Sequence, residues 1–170
     1  MQHTGFTLIE LLVVVMIISV LTAVAMPQYR KSLDRAKAAE AVQLLPAIFE
    51  ARERWMIEHG CRWTDDGYTC ADDSKMTFGK LDIEAKGNIT TDTNTLSNNK
   101  LTIPYWEYYL HLGKPSTSWQ PCVGAKPRFG GERYQDVVIY YRGDHLFCRD
   151  ADEGDFCDIL NLGELVNGCQ

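Results

Sequence analysis

Several familiar constellations are missing from this chain. There is no Gly-x-Ser-x-Gly, no phosphate-binding glycine loop and no zinc-protease helix. Its histidines and cysteines form no recognisable nucleophile pair, so nothing in the sequence motivates an enzyme. No Cys-x-x-Cys pair exists, and His3, His59, His111 and His145 show no metal-ligand spacing, which argues against zinc. Cysteine is absent before position 61, and all six cysteines (Cys61, Cys70, Cys122, Cys148, Cys157, Cys169) follow it. An even number confined to one part of the chain reads as a disulfide framework made in an oxidising compartment. A basic balance is lacking too. Residues 1–60 are neutral, with six basic and six acidic side chains, and the whole net charge of −6 falls on residues 61–170. An acidic globular part repels phosphate backbones, so intrinsic nucleic-acid binding is not expected.

The remaining scarcity organises the chain. From Phe6 to Met26 the only charge is Glu10. As an α-helix that stretch would be about 31 Å long, enough to span a hydrocarbon core. A carboxylate one turn inside such a helix is costly in lipid and calls for a partner. Cleavage after Gly5 would supply one, because Phe6 would then carry a charged α-amino group.

Three readings of residues 1–26 compete. One is a five-residue leader followed by a retained helix. The second is a secretory signal peptide cut after Ala25, where Ala23-Val24-Ala25 offers a small-x-small site. Against it, residues 1–5 hold no Lys or Arg, and Glu10 sits where an apolar region should be clean. The third is a plain membrane anchor, which leaves Glu10 unexplained.

Beyond Met26, Pro27 is placed to stop or kink a helix. Helical periodicity resumes from Gln28 to His59, with Ala41, Leu44, Leu45, Ile48, Trp55 and Met56 on one face. Glu50 and Arg54 form a favourable i, i+4 pair, Pro46 should bend the helix, and Gly60 reads as its stop. The expectation is one long helix from Phe6 to about His59, perturbed twice, apolar all round in its first half and amphipathic in its second. Cys61 to Cys70 encloses an Asp66-Gly67 turn signal. Residues 71–100 are polar and aperiodic. Asp65-Asp66 and Asp72-Asp73 look like loop solubilisers, and the sequon Asn88-Ile89-Thr90 is assigned no function.

Strand character begins at Leu101–Ile103 and Trp106–Leu112. Gly113 to Gly131, with three prolines and four glycines, is expected to be a long surface loop. Asp136 to Arg142 is the clearest strand, and Gly143-Asp144 should turn it into a hairpin with His145–Cys148. The Arg142-Gly143-Asp144 tripeptide is explained by that turn. Asp150, Asp152, Glu153, Asp155 and Asp158 form the densest acidic cluster. It lacks the EF-hand order, so a solvated loop is the first reading and calcium the second. No other cofactor is expected.

The stretch Gly5-Phe6-Thr7-Leu8-Ile9-Glu10-Leu11-Leu12-Val13-Val14-Val15 closely resembles the N-terminal signature of type IV prepilins and pseudopilins. The resemblance covers about Gly5 to Leu33. It implies the α+β type IV pilin fold, in which the C-terminal half of a long N-terminal helix packs on a small antiparallel sheet, here expected to have three or four strands. The corresponding divisions are a leader at 1–5, an apolar helix at 6–27, its amphipathic continuation at 28–60 and a disulfide-bonded head at 61–170. The resemblance also implies cleavage between Gly5 and Phe6 by a prepilin peptidase, N-methylation of Phe6, and assembly through Phe6, Glu10 and Pro27. Partners would be the inner membrane, the assembly machinery and then other copies in an extracellular pilus. Arg30, Lys31, Arg35 and Lys37 follow the apolar run and alone would place that end in the cytoplasm. The resemblance implies the reverse, and the cysteines side with it. Local pairing suggests Cys61–Cys70 and Cys148–Cys157, leaving Cys122–Cys169. A pilus subunit is therefore the leading reading. A secretion-system pseudopilin, a minor pilin, or a soluble secreted binding protein released after Ala25 are the alternatives.

Overall fold

The computed structural model describes residues 7–64, 67–72, 75–90, 99–111, 122–150 and 156–164. The chain divides into two compact units, Met1–Ala36 and Lys37–Gln170. One helix, α1 (Leu8–Glu58), begins in the first unit and ends in the second. It does not stop at Pro27, and its assignment also passes through Pro46. A proline removes one bond from the ladder, and the turns on either side keep theirs.

Within the second unit α1 buries Ala38, Ala41, Leu45, Ile48, Ala51, Arg52, Trp55 and Met56. Three of these are alanines, which let sheet residues approach the helix axis. The helix ends as a Schellman motif. Gly60 lies at φ +58, the Cys61 amide donates to the Met56 carbonyl at 2.7 Å, and the Gly60 amide donates to Ile57 at 3.2 Å. Immediately after it, β1 (Arg62–Thr64) and β2 (Gly67–Thr69) form a small hairpin closed by the Cys61–Cys70 disulfide.

Among the described residues the main sheet has seven strands in sequence order. They are β3 (Asn88–Thr90), β4 (Lys100–Thr102), β5 (Trp106–His111), β6 (Cys122–Pro127), β7 (Val137–Tyr141), β8 (Leu146–Asp150) and β9 (Gly163–Glu164). All neighbours are antiparallel except β8 and β9, which are parallel. The expected three or four strands are thus too few. The extra members are short or atypical: β3 is a wholly exposed three-residue edge, and β9 has two residues.

β6 corrects a second expectation. It falls inside the stretch read as surface loop, yet Cys122 to Ala125 and Pro127 are buried. Pro127 is tolerated because β6 pairs with β7 only from Val123 to Ala125, so its missing donor is not needed there. Leu101, Tyr108, Ala125, Ile139 and Cys148 form one cross-strand row on the face packed in the main core. Tyr109, Gly124, Tyr140 and Phe147 form the matching row on the other face.

Aromatic packing joins sheet and helix. The Trp106 indole donates to the Lys37 carbonyl at 2.9 Å. Its ring meets Phe129 edge-on at 5.5 Å, and Tyr134 meets Phe156, the first residue of α2 (Phe156–Leu160), at 4.7 Å. The second disulfide, Cys148–Cys157, ties α2 to β8. Buried Asn99 holds the segment before β3: its carbonyl accepts from the Phe78 amide and its amide donates to the Met76 carbonyl. That side chain replaces a strand neighbour for two otherwise orphaned backbone groups.

On the outer row Tyr109 is hydrogen-bonded to Tyr140, whose oxygen also accepts from Arg149. Burial pushes both phenols above the ordinary tyrosine range, and Tyr140 pushes Tyr109 further. A value raised by folding means that the neutral phenol stabilises the fold. That stability is complete below about pH 10 and is lost as pH rises above it, because the unfolded chain ionises first. The melting temperature followed by circular dichroism is therefore expected to fall above pH 10. Replacing both tyrosines by phenylalanine should make the fall shallower, and an unchanged slope would remove these two groups as its cause.

Candidate assembly surface

The first unit exposes an apolar helix. Every large apolar side chain from Leu8 to Leu33 is exposed, with Leu8 at 89 % and Leu33 at 42 %. A surface of this extent requires lipid or another protein to cover it. α1 is long and apolar enough there to cross a membrane. The hydroxyls within the run are satisfied by the helix itself. Ser19 donates to the Met16 carbonyl and Thr22 to the Ile18 carbonyl, each at 2.7 Å. These bonds remove the cost of carrying two polar atoms into an apolar phase.

The carboxylate of Glu10 is built into the start of the helix. The Thr7 amide and hydroxyl donate to Glu10 Oε2 at 3.1 and 2.8 Å, and the Glu10 amide donates to Thr7 Oγ1 at 3.3 Å. This is a capping box, which satisfies two orphan donors reciprocally. Its signature, Thr7-x-x-Glu10 before an apolar run, is present in the sequence, and Thr7 is the site residue that motif reading passed over. Gly5 and Phe6 lie outside the described residues. Pro27 lies on the exposed part of α1.

The structure contains the Cys61–Cys70 and Cys148–Cys157 bridges. Cys122 is also disulfide-bonded, and Cys169 lies outside the described residues. The centre of the acidic cluster, 151–155, lies outside them as well. Among the described residues no three His, Cys, Asp or Glu side chains gather as metal ligands.

One charged residue departs from its sequence reading, and a second was not singled out by it. Arg54 does not pair with Glu50; it forms a fork with both Asp82 oxygens at 3.0 and 2.9 Å. That bond holds the Asp82 carboxyl below its usual range, and Glu50 contributes only a field at Arg54. Arg52 is fully buried. Its guanidinium lies 4.1 Å from the Phe49 ring centroid and is bonded to Glu53. It stands four residues after Ile48 and four before Met56, so helical spacing alone would have placed it on the core face.

An exposed apolar segment that opens on a capped carboxylate is continued by an amphipathic half packed on a sheet, and the apolar segment is long enough to cross a membrane. Residues 1–26 match the family described as the prokaryotic N-terminal methylation motif. The type IV major pilin PilE1 of Neisseria gonorrhoeae is 33 % identical over 122 residues, covering 68 % of this chain and 73 % of that protein. A fimbrial protein of Neisseria meningitidis is 35 % identical over 98 residues, and there the chain spans 56 % of the relative's length. The major pilin PilA of Myxococcus xanthus is 42 % identical over 57 residues, 34 % of this chain and 26 % of that protein. No solved structure matches. The chain belongs to the type IV pilin family.

Proposed function

We propose that this chain is a structural subunit of a type IV pilus. The carrying observation is the exposed apolar segment of α1 in a chain whose first 26 residues match the methylation motif. As a prepilin it would sit in the inner membrane through that segment, with the disulfide-bonded head outside. A prepilin peptidase would cut after Gly5, and the new Phe6 amine would be methylated. Extraction then exchanges lipid for the same segments of other copies, which keeps the apolar surface covered throughout. Glu10 would pair with the Phe6 ammonium of a neighbour and so penalise wrong axial registers. The role is mechanical rather than catalytic.

The test is the N-terminal residue and intact mass of the protein taken from its native cell surface. The expected product begins at Phe6 with one added methyl group. A product beginning at Met26 would mean that the helix is discarded, and the pilus role with it.

A further inference from the structure

The head carries a groove of about 490 Å³ between α1 and the segment that follows Asp82. Its floor is apolar, with Leu44, Ile83 and Ile103. Its walls carry Glu40, Glu50, Asp82 and Glu84 against Arg54 and Lys86. The Arg54–Asp82 fork neutralises one charge of each sign. Three carboxylates then face one ammonium. An anionic ligand, a lipid phosphate or a nucleic-acid backbone, would be repelled. The favoured occupant has cationic heads on aliphatic stems, which can lie along an apolar floor and still reach acidic walls.

The chain itself contains such a segment. Arg30, Lys31 and Arg35 are exposed on α1 directly after the apolar run, together with Tyr29 and Leu33; Asp34 in the same turn is buried, so the turn is basic by two net charges. We propose that the groove receives this basic turn, Tyr29 to Arg35, from another copy of the chain. The proposal rests on the reading of the chain as a filament subunit. In a filament whose core is the apolar segment, the turns that follow it must lie against neighbouring copies. The groove's first carboxylate, Glu40, stands on the same helix shortly after the basic turn, and a helix does not fold back on itself, so the pairing is made between copies. This also gives the basic turn a use outside the membrane, where the distribution of positive charge would not otherwise place it.

Charge exchange in the full-length chain, expressed in its native cells, tests the contact. Glu50→Lys with Glu84→Lys, and separately Arg30→Glu with Arg35→Glu, are each expected to lower sheared filament yield by about tenfold or more. Combining all four restores opposite charges across the contact and should recover yield to within about threefold of the wild type. A combined variant no better than its parents, or parents with normal yield, overturns the proposal. Melting of the detergent-extracted membrane pool identifies any variant that fails to fold. A photo-crosslinking residue at position 30 of the otherwise unaltered chain then supplies the answer. Crosslinks from filaments should join it to the 40–50 or 82–86 peptides, and crosslinks exclusively elsewhere overturn the contact. If the wild-type chain makes no filament, the pilus reading itself fails, which is a separate result.

Discussion

Replacing Gly124 by valine is expected to destabilise the head by about 3 kcal/mol or more. A Cβ at this position would lie 2.4 Å from Tyr109 Cε2 and 2.8 Å from its Cζ. Gly124 stands between Tyr109 and Tyr140 in the outer cross-strand row. The Tyr109 ring occupies the space above the glycine and hydrogen-bonds Tyr140 beyond it. A side chain at 124 must push the ring away, which adds steric strain and breaks a buried hydrogen bond together. The melting temperature should fall by roughly 10 °C. The same substitution in a Tyr109→Ala background should cost much less, because the clash is with that ring. Equal losses in both backgrounds would place the damage in the strand's own conformation instead.

Gly124 also explains why β6 was not legible. Cys122-Val123-Gly124-Ala125-Lys126-Pro127 holds two of the residues that most often break strands. The glycine is there to admit the Tyr109 ring from β5, and the proline stands beyond the last β6–β7 pair. Both reasons are long-range and leave no trace in local composition. β7 and β8, by contrast, were readable. Val137 to Tyr141 is a dense β-branched and aromatic run, and Gly143, at φ +86, makes the turn. The helix was legible for the same reason, since its period and its terminal Gly60 are local. Arg52 shows the limit of polarity as a guide. Its charge argues for the surface, but Phe49 and Glu53 make a place for it inside. Thr7 is the opposite case: its capping signal is wholly local, set by the spacing to its neighbour Glu10.

That neighbour leads to the second large effect. Glu10→Ala is expected to reduce surface filaments by roughly a hundredfold, while the melting of the head stays unchanged. Two roles compete for the carboxylate, and the geometry allows them to be separated. As the N3 residue of a capping box, Glu10 needs only an oxygen to accept from Thr7, and glutamine supplies one. As the partner of a neighbour's Phe6 ammonium, it needs its charge. Losing a cap costs about 1 kcal/mol, whereas leaving one member of a buried ion pair alone costs about 3–5 kcal/mol. Glu10→Gln should therefore fail nearly as badly as Glu10→Ala, and Thr7→Ala, which spoils the cap and keeps the charge, should lose only a few-fold. The comparison is read as the ratio of sheared filaments to membrane-held subunit, so that expression cancels. Normal assembly of Glu10→Gln would assign the residue to the cap and abandon the charge pair. Membrane energetics act in the same direction as the pair. A lone carboxylate is costly in hydrocarbon, so its removal stabilises the membrane pool. If the charge pair forms, the native residue would make lipid the poorer phase and the correctly registered filament the better one, and Glu10→Gln would remove both effects while leaving the helix start intact.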